Sequence, residues 1–174
     1  AGDWPVTRRF RGESVHKVDQ KGRVSVPAPF RRVLEEGDPD WSPGQNPNLV
    51  LIYGGPSGDC LEGYSLTGVQ AIDDKISRMP TFGRARKALE RWINTQSVYA
   101  QLDDTGRIVL SPRLREKISI GAEAVFAGMG DKFQIWSPDA FAEDMSELED
   151  WREGLSDEED PFAQLDAVDL RGGT

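Results

Sequence analysis

Cysteine and histidine are nearly missing: the 174 residues hold one of each, Cys60 and His16. A single cysteine excludes an internal disulfide and any multi-cysteine zinc site; without an acid–base partner pattern, Cys60 reads as a small buried apolar residue. A single histidine has no partner with which to build a histidine metal centre. His16, between Val15 and Lys17 in an alternating stretch, therefore reads as an ordinary strand residue. Long apolar runs are also missing. None approaches the ~20 residues of a membrane-spanning helix, and the opening residues lack the charged-then-apolar pattern of a secretory leader. No nucleophile–base pair, metal cluster or cofactor fingerprint stands in the chain, so neither an enzyme nor a cofactor is expected. Gly54-Gly55-Pro56-Ser57-Gly58 lacks the Lys-Ser/Thr ending and following helix of a phosphate-cradling loop and reads as a hairpin loop. Glu35, Glu36, Asp38 and Asp40 lack the spacing and closing glutamate of an EF-hand. The five tryptophans and seven phenylalanines are dispersed, which argues for core and interface rather than a base-stacking platform.

Charge is abundant but partitioned. The net of −9 hides a C-terminal stretch, Asp139 to Thr174, with 13 acids and 2 bases. Residues 1–138 are left with 17 acids and 19 bases, and the first 34 residues alone carry 8 bases and 3 acids. Local field matters more than the global sum, so a polyanionic partner is compatible with this net-acidic chain. A merely solubilising basic surface gives the same count.

The chain repeats itself. Residues 15–34, VHKVDQKGRVSVPAPFRRVL, align with residues 99–118, YAQLDDTGRIVLSPRLREKI, at an offset of 84. Asp19, Gly22 and Arg23 fall on Asp103, Gly106 and Arg107. A looser match of residues 58–64 with 130–136 has an offset of 72, so the first copy carries an inserted loop within the stretch Gly37 to Asn48. In each copy a strand enters an Asp-x-x-Gly-Arg turn, where glycine supplies the positive φ of a tight reversal. A second strand, a short proline-initiated basic helix and a strand pair follow. The pairs are Leu49–Tyr53 with Cys60–Tyr64, and Ala124–Ala127 with Phe133–Trp136. Ser137 ahead of Pro138 predicts an N-cap, and Thr67 is expected to cap the matching helix of the first copy. Between the copies, Ala85, Ala88, Leu89 and Trp92 recur at helical spacing and predict a buried stripe. Arg84, Arg86, Lys87 and Arg91 lie off it, on a solvated face or a nucleic-acid contact. The expected layout is a first repeat over 10–80, a linking helix over 81–96, a second repeat over 97–150 and an acidic, mobile tail over 151–174.

Across each turn, Asp19 with Arg23 and Asp103 with Arg107 sit at a spacing that permits a charge-assisted hydrogen bond. This either staples a hairpin or, in addition, displays Lys21 and Arg23 to phosphates and base edges. Arg11, one strand earlier, is expected at the same end. The second copy has Thr105 where the first has Lys21, so its loop is less basic.

The opening Phe10-Arg11-Gly12-Glu13, the two Asp-x-x-x-Arg motifs in register and Phe133-x-x-Trp136-Ser137-Pro138 together resemble the MraZ family. These are bacterial transcriptional regulators built from two tandem AbrB-like repeats; the resemblance covers about residues 10–150. It implies an α+β fold in which swapped-hairpin repeats form a pseudo-symmetric β-barrel with peripheral helices. It also implies a homo-oligomeric ring, cytoplasmic and nucleoid-associated, that reads direct repeats in double-stranded promoter DNA of a cell-division and cell-wall operon containing its own gene. Carried over by position, the DNA-binding residues are Arg11, Lys21, Arg23 and Arg107, with Asp19, Gly22, Asp103 and Gly106 shaping the loops. The competing expectation is an antitoxin-like protein-interaction module that uses the acidic tail.

Overall fold

The computed structural model describes residues 8–54 and 58–169. The first repeat supplies β1 (Glu13–Lys17), β2 (Arg23–Ser25), α1 (Ala28–Glu36), β3 (Asn48–Ile52), β4 (Cys60–Tyr64) and α2 (Leu66–Ser77). After α3 (Arg84–Thr95), the second supplies β5 (Ser97–Gln101), β6 (Arg107–Val109), α4 (Pro112–Lys117), β7 (Glu123–Gly128) and β8 (Phe133–Trp136). The acidic stretch carries α5 (Pro138–Glu153) and α6 (Pro161–Asp166). The middle of the expected Gly54–Gly58 hairpin loop, residues 55–57, lies outside the described residues.

Strand pairing crosses between the repeats. Six strands form one antiparallel sheet in the order β1-β7-β8-β4-β3-β5, and β2 pairs with β6 in a separate two-stranded ladder. Replacing every strand by its duplicate turns the six-strand order into its own reverse, so the repeats relate by a pseudo-twofold. β1 pairs with β7 of the other repeat, β5 pairs with β3, and β4 meets β8 on the pseudo-axis. The expected barrel is corrected here: among the described residues the hydrogen-bonded sheets do not close. Each tight turn diverts the chain out of the six-stranded sheet into the short β2–β6 ladder, which leaves β1 and β5 as its two ends.

The main core is shared by the two repeats, and a smaller cluster of first-repeat residues around Val50, Ile52 and Tyr64 lies beside it. Phe10 and Phe30 pack with Phe133 at ring-centroid distances of 5.1 and 5.4 Å, and Phe126 stacks on Phe133 at 5.8 Å. All four rings are fully buried, two from each repeat. Each contributes a large share of the apolar area that holds the body together. Cys60 is buried on β4, and His16 lies edge-on to Phe126 at 5.3 Å with Ser14 Oγ 2.7 Å from its Nε2.

The inserted loop of the first repeat is organised by a buried carboxylate. Asp38 is 4% exposed and accepts hydrogen bonds from the amides of Asp40 at 3.0 Å and Asn48 at 2.9 Å, and from Asn48 Nδ2 at 3.2 Å. Burial pushes its pKa up, but these bonds outweigh that and hold it below the usual carboxylate value. Removing the acceptor strands the Asn48 amide, so Asp38→Ala is expected to cost about 1–3 kcal/mol in a urea melt. An unchanged melt would show that the loop does not depend on this carboxylate.

Two local expectations are corrected. Ser65, not Thr67, caps α2: its hydroxyl accepts from the Gly68 amide at 3.0 Å, the i to i+3 geometry of an N-cap. The helix expected to open at Ser137-Pro138 forms as α5, and α6 follows it within the stretch expected to be a mobile tail. Arg152 on α5 pairs with Asp160 at 2.7 Å, and Asp160 caps α6. Finally, α3 forms as expected but buries none of its residues, and Trp92 is 59% exposed. The body ending at Pro138 and the helical unit beginning at Asp139 are separate compact units.

Candidate nucleic-acid interface

Each Asp-x-x-x-Arg turn is a self-contained hydrogen-bonded cage. Asp19 Oδ1 accepts from the amides of Lys21 at 3.0 Å and Arg23 at 2.8 Å, and its Oδ2 accepts from Arg23 Nε at 2.6 Å. Asp103 repeats this with the amides of Thr105 and Arg107, both at 2.9 Å, and Arg107 Nε at 3.3 Å. Gly22 and Gly106 sit at φ of 82° and 77°, the left-handed region that favours glycine. In both turns the arginine engages its aspartate through Nε. Its terminal amines are left for a further acceptor, and those are the donors that form paired bonds to a phosphate or to guanine.

The turns are locked onto each other by the swapped repeats. Leu110 N donates to Gly22 O at 2.8 Å, and Val26 N donates to Gly106 O at 3.0 Å. An arginine from the opposite repeat then fills the space beneath each glycine. Arg115, whose Nε donates to Leu110 O at 3.0 Å, lies against Gly22; Arg31 lies against Gly106, with its buried Nε unpartnered. Because β2 and β6 are antiparallel, with Val24 opposite Ile108, Arg23 and Arg107 come to one place. Together with Lys17, Ser25 and Asp19 they line a cleft of about 470 Å³ that also touches Glu123.

Lys17 was not singled out in the sequence. Its signal is parity: on an alternating strand, positions 17 and 19 share a face, so the residue two before the turn aspartate joins its cleft. Lys21 is exposed at the turn tip. Arg11 is not at this end, which corrects the expectation. It lies beyond the start of β1 and the turn lies beyond its finish, and five strand residues span ~17 Å. Arg86 is also removed from the candidates, because its Nη1 donates to the carbonyls of Ser77, the last residue of α2, and of Met79 just past it. A larger cleft of about 660 Å³ lies between α2 and the β7–β8 turn. There Arg8 is paired with Glu36 and Arg9 with Asp131, so those cations are already spent.

Thr105 explains the weaker second loop. Its hydroxyl donates to Asp103 Oδ1 at 2.8 Å and accepts from Arg107 Nε at 2.8 Å, so the position occupied by a free cation in the first turn is used internally in the second. The Arg107 amide, then the Thr105 hydroxyl, hold the Asp103 carboxyl at about 2, below its ordinary 3.8. A pKa depressed on folding means the stabilisation is full above the ordinary value and is lost as pH falls through the folded one. The Thr105 and Arg107 amide NMR shifts are therefore expected to titrate with a midpoint near 2, and a midpoint near 3.8 would contradict the cage.

Among the described residues no group of three or more His, Cys, Asp or Glu is arranged to hold a metal, and no helix is long and apolar enough to cross a membrane. The profile of the family described as "MraZ protein, putative antitoxin-like" matches residues 9–92 and again 95–162. The chain is 49% identical to the transcriptional regulator MraZ of Ruegeria sp. (strain TM1040), over 92% of this chain and 97% of that one. It is 47% identical to the same regulator of Ruegeria pomeroyi, over 94% and 98% respectively. At greater distance it is 37% identical to the one from Parvibaculum lavamentivorans, over 76% and 78%. Two profile matches in tandem, on a fold whose halves interchange by a pseudo-twofold, place the chain in the MraZ family of transcriptional regulators, which are not enzymes.

Proposed function

We propose that this regulator binds double-stranded promoter DNA through the cleft between its two turns, with Arg23 and Lys21 as principal contacts and Lys17 and Arg107 in support. The observation that carries this is the convergence of Arg23 and Arg107 on one cleft, each held by Nε and each keeping its terminal amines unspent. Arg11, at the far end of β1, is outside it. One cleft offers few cations on a net-acidic chain, which gives weak binding at physiological salt. A ring of copies engaging successive direct repeats raises the effective concentration of every further cleft, so weak contacts add into tight binding. The target, by resemblance to the family, is the upstream region of a cell-division and cell-wall operon containing the protein's own gene, which makes the protein cytoplasmic and nucleoid-associated.

Fluorescence anisotropy against that upstream duplex and a scrambled one, at several salt concentrations, tests the proposal. Tight binding to the first, falling steeply with salt, is the expected result. Equal weak binding to both would overturn it and favour the antitoxin-like alternative, in which the acidic helical unit engages a partner protein.

A further inference from the structure

Two cations beside the turns take no part in the cleft. Arg31 and Arg115 hold matching positions on α1 and α4, and each reaches across to the turn of the other repeat. Arg31 Nη1, Cδ and Cζ occupy the space that a Cβ on Gly106 would need, so the guanidinium lies against the turn backbone. Arg115 Nε stands 3.0 Å from the corresponding point at Gly22 and donates to Leu110 O. Both side chains are half-buried, and neither makes an ion pair with any described residue. The Nε of Arg31 is buried without a hydrogen-bond partner. Holding a guanidinium half out of water with no carboxylate beside it costs free energy. Packing beneath a glycine does not need a charge, since a methionine would fill the same space. The charge is therefore directed at an anion that the folded chain does not supply.

The ladder sets where that anion stands. Gly22 O accepts from Leu110 N at one end of β2–β6, and Gly106 O accepts from Val26 N at the other, so Arg115 and Arg31 bracket the ladder. The extended stretch from Gly22 to Val26 spans ~13 Å. That is close to the ~12 Å width of the major groove of B-DNA, which admits a two-stranded ribbon. An arginine pressed flat on turn backbone does not project into a groove; it meets what passes alongside the turn, the phosphates at the groove edge.

We infer that Arg31 and Arg115 clamp the phosphodiester backbone on the two edges of a groove filled by the β2–β6 ladder. Each turn is then held to DNA by an arginine of the opposite repeat. The inference rests on the cleft of the proposed function and adds its backbone contacts. It also gives the second turn a cation that its own tip lacks, since Thr105 stands where the first turn has Lys21.

The test compares wild type with Arg31→Met, which keeps the volume and deletes the charge, and with Arg31→Lys, which keeps the charge. Fluorescence anisotropy follows binding of the full-length chains to the upstream duplex and to a scrambled one over a series of salt concentrations. Circular dichroism confirms folding, which Arg31→Met is expected to retain because nothing bonds to the Arg31 Nε. A phosphate contact is blind to sequence, so Arg31→Met is expected to weaken both duplexes by the same factor. Its plot of log affinity against log salt is expected to be shallower by about 0.9 for every engaged copy, while Arg31→Lys keeps the wild-type slope. Arg115→Met, at the other end of the ladder, is an independent removal with the same expected change. An Arg31→Met slope equal to wild type, or a loss confined to the upstream duplex, overturns the inference, because a residue that only shapes the turn alters fit and not counterion release. Equal weak binding of both duplexes by wild type overturns the reading of the cleft, and the slopes still decide Arg31.

Discussion

Arg23→Ala is expected to lower affinity for the cognate upstream duplex by about 5- to 150-fold for each engaged cleft, the ~1–3 kcal/mol of a lost base-directed arginine. Copies acting together multiply that loss, so in an assembly with two or more clefts on DNA specific binding disappears from the practical range. The melting curve should barely move. The Arg23–Asp19 pair is more than a third exposed on both sides, and such pairs contribute little to stability. The Asp19 cage over the Lys21 and Arg23 amides survives the substitution. Arg107→Ala is expected to cost less, because Thr105 stands where the first turn carries Lys21, so the second turn has no cation at its tip. Equal losses for the two variants would contradict the asymmetry that Thr105 imposes.

Gly22→Ala is the largest expected loss of stability among the turn residues. A Cβ at φ of 82° costs ~1–3 kcal/mol in backbone strain. Here it also lands on the carbonyl oxygen of Leu110, backbone that cannot turn away, which adds ~1–3 kcal/mol and disturbs the bond from Leu110 N. The sum is about 2–6 kcal/mol, a large fraction of a domain's total. Gly106→Ala meets the Arg31 side chain instead, which can shift, so its denaturation midpoint is expected to fall less. Gly22→Ala should also weaken DNA binding under folding conditions, because it displaces the turn that carries Lys21 and Arg23. A Gly22→Ala protein as stable as wild type would contradict the turn conformation.

The duplication made the local elements legible. An offset of 84 maps β1 onto β5 and β2 onto β6 residue for residue, because the turn between them is written in short-range chemistry: aspartate, glycine, arginine. Pairing across the repeats was not legible from spacing alone, since β1 with β7 and β3 with β5 are long-range choices made by the shared core. Arg11 was misplaced because charge was counted along the sequence, whereas an extended strand carries its two ends far apart. Lys17 was missed for the converse reason, a shared strand face that parity alone reveals. The α3 stripe misled because periodicity reports that a face is apolar and says nothing of whose surface covers it. In the acidic stretch the Ser137-Pro138 helix start was legible, because capping is local chemistry, whereas the apolar spacing of Met145, Leu148 and Trp151 was hidden among the charges.

The claim that the cleft between the turns is the DNA contact is tested most directly by a charge-matched comparison. Binding of the upstream duplex would be measured for wild type, for Arg23→Ala with Arg107→Ala, and for Lys75→Ala with Arg78→Ala, which removes the same charge from exposed positions on and just beyond α2. The account predicts a loss of about 100-fold or more for the cleft pair and a change within about twofold for the α2 pair. Equal losses for the two pairs, or none for the cleft pair with the fold intact, would contradict it.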